Sequence, residues 1–300
     1  MTALIQTEQL TKSYGRHRGI IEVDLEVREG EAFGFLGPNG AGKTTMIRTL
    51  LNHIRPTSGR ATIFGIDTTA DPVAIHRRLG YLPGEFVLYD KLTGGQTIDY
   101  FAALRGGVDR AYRAELVARL DIDLSRRFKE YSKGNKQKIG LVVALQHRPD
   151  LLLLDEPTSG LDPLVQQTFY DVIREAKAEG RTIFMSSHIL GEVEKTCDRV
   201  AIIRDGRLTK LDRVEALRDL AHHQVELRFA GAAPAAEFAA LPGVSDVVAA
   251  DHTLRMRVAG PITPVVHAAA RHEVIDFVSR EPTLEETFLA EYGSQPAEVA

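Results

Sequence analysis

The most informative segment of this 300-residue chain is Gly37-Pro38-Asn39-Gly40-Ala41-Gly42-Lys43-Thr44-Thr45. It matches the pattern G-x-x-x-x-G-K-[ST] at every fixed position. Glycines let successive backbone N–H groups face a phosphate, and the N-terminus of the following helix adds a partial positive charge. Lys43 would then reach the β- and γ-phosphates of a nucleotide, and the Thr44 hydroxyl would hold a bridging Mg²⁺. The residues predicted to contact the nucleotide here are Gly37, Asn39, Gly40, Gly42, Lys43, Thr44 and Thr45.

The residues on either side of this loop fit the same interpretation. A short apolar run that suits a buried strand precedes it, and apolar residues at helical spacing follow it. The first group is Phe33, Phe35 and Leu36, and the second is Met46, Ile47, Leu50, Leu51 and Ile54. A strand, a glycine-rich loop and a helix therefore follow one another in the order that a phosphate site requires.

Composition limits the classes of protein to be considered. The formal net charge is -4, so no overall basic field favours nucleic acid, and we expect no nucleic-acid partner. Cys197 is the only cysteine, which excludes a disulfide within the chain and favours a reducing, cytoplasmic location. The length favours one large domain with a smaller companion.

Neither a secretion signal nor a membrane span is expected from the sequence. Residues 1 to 10 alternate polar and apolar types and lack the charged start and apolar run of a signal peptide. The apolar run at residues 151 to 154 is closed by Asp155 and Glu156, far short of the roughly 20 residues that span a bilayer. Any work at a membrane would need another chain to supply the membrane-spanning part.

Residues 4 to 30 predict an antiparallel β edge. Ile21, Val23, Leu25 and Val27 alternate with polar residues, which gives one buried face and one exposed face. Between the strands lies Tyr14, whose ring would either stack on an adenine base or close the sheet edge as a half-buried side chain. The spacing favours neither alternative over the other.

The middle of the chain predicts further strands and a helical insertion. A strand is expected from Ala61 to Ile66, a helix over residues 71 to 80, and helices across about residues 90 to 148. The continuous apolar run at 151 to 154 is typical of a central parallel strand.

Two acids follow that strand and point to chemistry. In open α/β sheets, ligands bind beyond the carboxyl ends of the strands, so Asp155 and Glu156 should face the phosphate loop. Asp155 would orient Mg²⁺, and Glu156 would polarise the water that attacks the γ-phosphate. A lone histidine is more often structural than catalytic, but His188 follows a later buried strand on the same side of the sheet, where it could donate a hydrogen bond to the γ-phosphate.

Taken together, these motifs resemble the ATP-binding subunits of ABC transporters over residues 3 to 215. The resemblance rests on the phosphate loop, the 151–156 strand, Tyr14, the Ser-Gly-Leu-Asp turn that ends at Asp162, and His188. It implies a P-loop α/β core, ATP and Mg²⁺ as cofactors, and two subunits that close head to tail around each ATP. It also implies a membrane permease as partner and a cytoplasmic subunit held at the inner face of the membrane.

Two motifs depart from the family pattern. Residues 131 to 137 align with the Leu-Ser-Gly-Gly-Gln signature but keep only the Ser132 hydroxyl and Gly134, which the resemblance places against the partner's nucleotide. Lys133 and Lys136 would add positive charge there. Gly84 stands where the family usually has a glutamine that touches Mg²⁺, so either Glu85 or a water would take that place.

The sequence past about residue 215 predicts a separate domain over 216 to 293 with a flexible tail at 294 to 300. Its strand and helix signals follow the order βαββαβ, a ferredoxin-like arrangement. The domain ends near Pro282-Thr283-Leu284-Glu285-Glu286, where Thr283 and Glu286 have capping-box spacing. Similar appendages occur in exporter-type subunits.

Two functions from different classes are consistent with these features. The first is an ATP-hydrolysing motor that powers export through a separate permease, and the Leu-Pro-Gly-Glu segment with Leu88-Tyr89 resembles the ABC-2 group of drug and antibiotic exporters. The alternative is an ABC-type ATPase that acts on ribosomes or nucleic acid without a membrane partner. A GTPase is excluded because residues 135 to 138 read Asn-Lys-Gln-Lys and lack the guanine-reading aspartate.

Overall fold

The computed structural model describes residues 3–15, 17–87, 90–219 and 223–280. The chain forms two compact units that divide between Asp212 and Arg213. Three segments considered above lie outside the described residues, namely Leu88-Tyr89, the capping-box segment after Pro282 and the tail from residue 294.

The described part of the chain forms the following strands and helices, numbered in chain order. The strands are β1 (Ala3–Tyr14), β2 (His17–Arg28), β3 (Ala32–Leu36), β4 (Ser58–Ile63), β5 (Ile66–Asp67), β6 (Leu79–Leu82), β7 (Leu151–Asp155), β8 (Thr182–Ser187), β9 (Arg199–Arg204), β10 (Arg207–Arg213), β11 (His223–Phe229), β12 (Val244–Ala250), β13 (Thr253–Val258) and β14 (Val274–Arg280). The helices are α1 (Lys43–Leu50), α2 (Pro72–Arg77), α3 (Gly94–Leu104), α4 (Arg110–Arg119), α5 (Lys133–Leu145), α6 (Pro163–Ala178), α7 (Leu190–Thr196), α8 (Val214–Asp219), α9 (Ala235–Ala239) and α10 (Thr263–Ala269), with a 3₁₀ turn at Phe128–Glu130.

The described residues of the first unit form two sheets. The antiparallel edge sheet has the order β2-β1-β4-β5, and the central sheet has the order β10-β9-β3-β8-β7-β6. Within the central sheet β3 is parallel to β8 and β9, and β7 is parallel to β6 and β8. Helices α3, α4 and α5 come from the insertion between β6 and β7, as the periodicity predicts.

Parallel pairing brings three strand ends to one edge of the central sheet. Leu36 at the end of β3 pairs with Ser187, and Asp155 at the end of β7 pairs with Ser186. Both serines lie at the end of β8. Because ligands bind beyond the carboxyl ends of parallel strands, this edge is where a nucleotide site is expected.

A single apolar core connects the two sheets through α1. Fully buried side chains come from the edge sheet, from the inner face of α1 and from the central sheet. The helix contributes Met46, Ile47 and Leu50, and Phe33, Phe35 and Phe184 form a row of aromatic contacts in the sheet. The loop before α1 is therefore anchored on both sides by well-packed strands.

Two boundaries differ from the sequence predictions. The strand expected from Ala61 to Ile66 is a hairpin, because Phe64 and Gly65 adopt φ values of 56° and 74° and turn the chain between β4 and β5. The helix expected over 71 to 80 ends at Arg77, because Leu79 to Leu82 pair with β7 as a parallel strand. In the second case tertiary pairing overrides local helical periodicity.

The second unit has an antiparallel sheet of order β12-β13-β11-β14. With α9 and α10 this gives the βαββαβ order that the sequence predicts. Val225, Leu227 and Phe229 alternate along β11 and form a core with Phe238 of α9 and Val265 of α10. The unit therefore has an apolar core of its own.

Across the described ranges, no helix has both the length and the apolar character needed to cross a bilayer.

Candidate nucleotide site

The backbone of the phosphate loop requires glycine at defined positions. Gly42, the residue before α1, has φ 113°, and a Cβ there would lie 2.7 Å from the Gly19 carbonyl oxygen. At Gly37 a Cβ would lie 2.4 Å from the Ile203 carbonyl oxygen. Gly40 also has a positive φ of 81°, but the space around it is open and Asn39 beside it is exposed. The loop is thus tightly packed at Gly37 and Gly42 and open at Gly40, as a phosphate-binding loop must be.

Lys43 extends back over this loop. Its Nζ donates to the carbonyl oxygens of Gly37 at 2.7 Å and Pro38 at 3.1 Å, and it lies 3.1 Å from Glu156 Oε1. The side chain is only 5% exposed. The ammonium group is therefore held at the mouth of the loop, within reach of phosphate oxygens that enter there.

Glu156 connects the two cationic or protonatable partners of the site. Its Oε1 faces Lys43, and its Oε2 lies 2.9 Å from His188 Nδ1. Glu156 itself adopts φ 48°, in the left-handed region that non-glycine residues seldom occupy. Its N–H donates to Ser186 O at 3.2 Å and to Ser186 Oγ at 3.1 Å, which fixes this conformation.

Asp155 is buried at the end of β7, with 2% exposure. Ser186 Oγ donates to Asp155 Oδ1 at 2.5 Å. Ser186 thus positions both acids: its hydroxyl donates to Asp155, and its hydroxyl and carbonyl oxygens both accept from the Glu156 N–H. Motif spacing does not indicate this role, and the only sequence signal for it is a serine at the end of a buried strand that follows a phosphate loop.

Gly84 lies beside the same carboxylate. A Cβ at Gly84 would lie 3.4 Å from Asp155 O and 3.5 Å from Asp155 Oδ2, which is ordinary contact. A longer side chain at this position would therefore begin next to the acid that is predicted to orient Mg²⁺. Glu85, the next residue, is exposed.

The donor set suits a hard cation held partly by substrate. Asp155 supplies a carboxylate and Thr44, which is half-buried at the start of α1, supplies a hydroxyl. Among the described residues, no three His, Cys, Asp or Glu side chains gather as a metal site. A Mg²⁺ ion bound by one or two protein oxygens plus phosphates fits this arrangement.

The signature segment starts α5. Ser132 caps the helix, since its Oγ accepts a hydrogen bond from Asn135 N at 3.3 Å. A Cβ at Gly134 would lie 2.4 Å from Gly160 O, so this glycine allows the segment to pack on the turn before α6. Gln137 Nε2 donates to the carbonyl oxygens of Glu156 and Pro157 at 3.4 and 3.2 Å. These hydrogen bonds therefore join α5, which begins in the signature segment, to the residues that follow β7.

The two lysines of this segment point to different places. Lys133 Nζ donates to Ser159 Oγ at 2.8 Å, whereas Lys136 Nζ lies 5.2 Å from the centre of the Phe128 ring. Asp162 caps α6, and its carboxylate accepts from the N–H groups of Leu164 and Val165. Ser132 remains exposed at the helix start.

Tyr14 lies at the tip of the β1–β2 hairpin and is 43% exposed. Its Cδ2 is 3.4 Å from where a Cβ of Gly19 would be, and the Gly19 carbonyl approaches Gly42 of the phosphate loop. Lys12 Nζ lies 5.4 Å from the ring centre. The exposed ring is therefore close to the loop and is available for stacking on a base.

The structure thus brings Lys43, Asp155, Glu156 and His188 together at one edge of the central sheet. Tyr14 lies near the phosphate loop, with Gly19 between them. Ser132 and Asp162 cap the starts of α5 and α6. A strand, a phosphate loop with its lysine and an acid-bearing parallel strand define the P-loop ATPase class.

Comparison with known proteins assigns the family. The family model described as ABC transporter matches residues 20–159. The ABC transporter ATP-binding protein NatA of Bacillus subtilis is 39% identical over 211 residues, which cover 67% of this chain and 84% of NatA. The bacitracin transport ATP-binding protein BcrA of Bacillus licheniformis is 40% identical over 214 residues, covering 69% of each chain.

Two solved structures share the fold of this chain. An ATP-binding subunit of an ABC transporter is 31% identical, with a TM-score of 0.66 over 72% of this chain and 92% of that chain. A dimeric ATP-binding cassette, MJ0796, bound to ADP and Pi, shares the fold at 22% identity with a TM-score of 0.64, over 70% of this chain and 98% of that chain.

This chain belongs to the ATP-binding proteins of ABC transporters. It binds ATP and is an ATPase, as the resemblance predicted. The relatives are transporter subunits, which supports the transport motor over the alternative of an ATPase acting on ribosomes or nucleic acid.

Proposed function

We propose that two copies of this chain close head to tail on ATP and power export through a separate membrane permease. Each ATP would lie between the phosphate loop of one copy and the Ser132–Gly134 segment of the other. Ser132 is exposed at the start of α5, so its hydroxyl and the helix N-terminus are available to a γ-phosphate supplied by the partner. Asp162 caps α6 two residues after Gly160, whose carbonyl oxygen lies against Gly134, so Asp162 would belong to the same contact region.

The observation that carries the proposal is the position of Glu156 between Lys43 and His188. Phosphate oxygens would compete with the Glu156 carboxylate for the Lys43 ammonium, which now lies 3.1 Å from it. Once Lys43 binds the β- and γ-phosphates, Glu156 is free to orient and deprotonate the attacking water. The Glu156 carboxylate can only accept, so a neutral His188 now donates its single N–H to it; once Glu156 turns to the attacking water, His188 would be free to donate to the γ-phosphate.

The remaining residues bind and orient the nucleotide. Backbone N–H groups of residues 37 to 45, with the side chains of Asn39, Thr44 and Thr45, would surround the phosphates, and Tyr14 would stack on the adenine. Thr44 and Asp155 would hold Mg²⁺, with Glu85 in the place that Gly84 leaves without a side chain. When bound, Mg²⁺ would neutralise the charge that develops on the phosphates.

A complementation experiment tests the composite site. Lys43→Ala removes the phosphate lysine, and Ser132→Arg blocks the signature segment, so each variant alone should lack ATPase activity. In an equal mixture, half of the randomly formed dimers would contain one copy of each and hold one intact site, so about a quarter of wild-type activity should return. A mixture that stays inactive would contradict the head-to-tail dimer, provided that both variants fold.

The transport role is tested separately. We propose that the chain sits at the cytoplasmic face of a membrane through its permease and that drug or antibiotic efflux is the process served, since relatives named for bacitracin transport align over two thirds of the chain. The tagged chain, cross-linked in its own cells and extracted with detergent, should co-purify with a polytopic membrane protein. Loss of active Glu156 should lower bacitracin tolerance in those cells, whereas unchanged tolerance would contradict antibiotic export.

A further inference from the structure

Glu192 carries a buried carboxyl group that the nucleotide site itself does not explain. It lies on α7 with 4% exposure. Its Oε1 accepts a hydrogen bond from the Thr158 hydroxyl, and its Oε2 accepts one from Ser187 Oγ at 2.6 Å. Thr158 and Ser187 are buried as well, with 4% and 1% exposure, so water competes little for these bonds.

The two hydroxyl groups belong to the two segments that bear the reacting side chains. Thr158 lies two residues after Glu156, and Ser187 lies immediately before His188. The tips of these segments meet where His188 Nδ1 contacts Glu156 Oε2. Glu192 joins the same two segments at a second place, through its hydrogen bonds from Thr158 and Ser187.

The segment that starts at Glu156 is also held from its other side. Gln137 of α5 donates to the carbonyl oxygens of Glu156 and Pro157. On the β8 side, Ile189 N donates to Ser187 Oγ at 2.9 Å, which orients the hydroxyl that reaches Glu192. The segment is therefore fixed between α5 and α7, and Glu192 supplies the link to α7.

We propose that Glu192 is a positioning residue for ATP hydrolysis, which holds the Thr158 segment against the end of β8 so that Glu156 and His188 meet the γ-phosphate in register. The proposal rests on the functions proposed above for Glu156 and His188. Glu192 acts through Thr158 and Ser187 and has no contact with the phosphate loop lysine in this arrangement. Its loss should therefore lower the rate of hydrolysis more than the affinity for ATP.

The test measures kcat for ATP hydrolysis and Kd for ATP on the full chain. Glu192→Ala should lower kcat by about tenfold or more and leave Kd within about twofold, because the link is lost while Lys43 and its loop are intact. Glu192→Gln should keep kcat within about threefold. Its amide oxygen still accepts from Thr158, its amide N–H donates to Ser187 Oγ, and the Ser187 hydroxyl turns to Ile189 O, which lies 3.1 Å away.

Thr158→Val removes one hydroxyl of the link at nearly constant volume, and it serves if Glu192→Ala fails to fold. It should lower kcat, and the double variant with Glu192→Ala should be no slower than Glu192→Ala alone, because both changes break one link. Thr196→Val is the matched control: its buried hydroxyl is on the same helix but donates to the Glu192 backbone carbonyl. It should leave kcat within about twofold.

Near-normal kcat in Glu192→Ala, equal losses of kcat and ATP affinity, or additive effects of Glu192→Ala and Thr158→Val would each overturn the proposal. If Glu192→Ala does not fold, near-normal kcat in Thr158→Val overturns it. If the proposed function is wrong, the result is a different one: Glu156→Gln hydrolyses ATP normally. The two sets of variants therefore separate a wrong positioning role from a wrong general base.

Discussion

His188 Nδ1 lies 2.9 Å from Glu156 Oε2, although the two residues are 32 positions apart in the chain. The contact exists because β7 and β8 are parallel neighbours whose ends coincide, with Asp155 opposite Ser186. Glu156 then turns out of β7 with a positive φ, and His188 follows β8 directly. The predicted general base and the predicted hydrogen-bond donor to the γ-phosphate therefore form one hydrogen-bonded pair.

His188→Ala should lower kcat about 100-fold while the KM for ATP changes little, because a hydrogen-bond donor to the transition state is lost and the phosphate loop is not. Steady-state phosphate release over a range of ATP concentrations gives both constants. The exposed His252, in the second unit, provides the matched control as His252→Ala. Turnover within twofold of the wild type in His188→Ala would show that the imidazole is not needed for hydrolysis.

Glu156→Gln should lower turnover about 1,000-fold and still allow an ATP-bound dimer to accumulate, because the amide cannot take a proton from water. The neutral amide also loses its ion pair with Lys43, so ATP should bind at least as tightly as to the wild type. Light scattering with and without ATP measures the dimer. Glu115→Gln, on the exposed face of α4, is the control. A Glu156→Gln variant that hydrolyses ATP normally would remove Glu156 from the mechanism.

Lys43→Ala should abolish detectable nucleotide binding, because the loop loses its only side-chain charge directed at the phosphates. The carbonyl oxygens of Gly37 and Pro38 would also lose the hydrogen bonds that the Lys43 ammonium now donates to them. Equilibrium binding of a fluorescent ATP analogue is the measurement, with Lys129→Ala at an exposed position as the control. Unchanged affinity in Lys43→Ala would refute the phosphate-loop role.

Gly84→Gln should lower the Mg²⁺ concentration for half-maximal ATPase activity by about threefold, because an amide oxygen would be added beside Asp155. The site accepts a Cβ at ordinary contact distance, so the variant should fold. Glu85→Ala should raise the Mg²⁺ requirement by a similar factor if Glu85 fills the place in the wild type. An unchanged Mg²⁺ titration in Glu85→Ala would indicate that water, and not Glu85, occupies that place.

His147 should make the protein less stable in acid. Burial, with the nearby Arg105 and Arg181 charges, lowers the pKa of His147 from 6.5 to about 4, while its Nε2 contacts Leu79 O at 3.1 Å. Its Nδ1 is buried and has no hydrogen-bond partner among the described residues. As pH falls from 6.5 towards 4 the unfolded chain takes up a proton that the folded chain does not, so stability is lost.

The loss assigned to His147 is about 2 kcal/mol at pH 5. His147→Gln stays neutral and keeps a donor for Leu79 O, so its stability should fall less between pH 7 and pH 5. Urea unfolding at the two pH values measures this difference. An equal fall in the wild type and in His147→Gln would exclude His147 as the source.

Much of the fold follows from local signals. Alternation along β2, the apolar run of β7 and the glycine loop before α1 each specify their own element, and helices fill the insertion as the periodicity predicts. The predictions for 61 to 66 and 71 to 80 were wrong in detail. A turn at Phe64-Gly65 and the pairing of β6 with β7 decide those segments, and periodicity contains neither.

The amino-acid sequence specifies the class of the site: a phosphate loop with its lysine and hydroxyl, followed by an acid-bearing strand and a histidine, in an order that resembles the ATP-binding subunits of ABC transporters. Tertiary structure alone decided how those groups meet. The Lys43–Glu156–His188 contacts, the role of Ser186 and the link from Glu192 to Thr158 and Ser187 all depend on the register of β7 against β8. Motif spacing records which groups are present along the chain, whereas hydrogen bonds between residues some 30 positions apart exist only once neighbouring strands are paired.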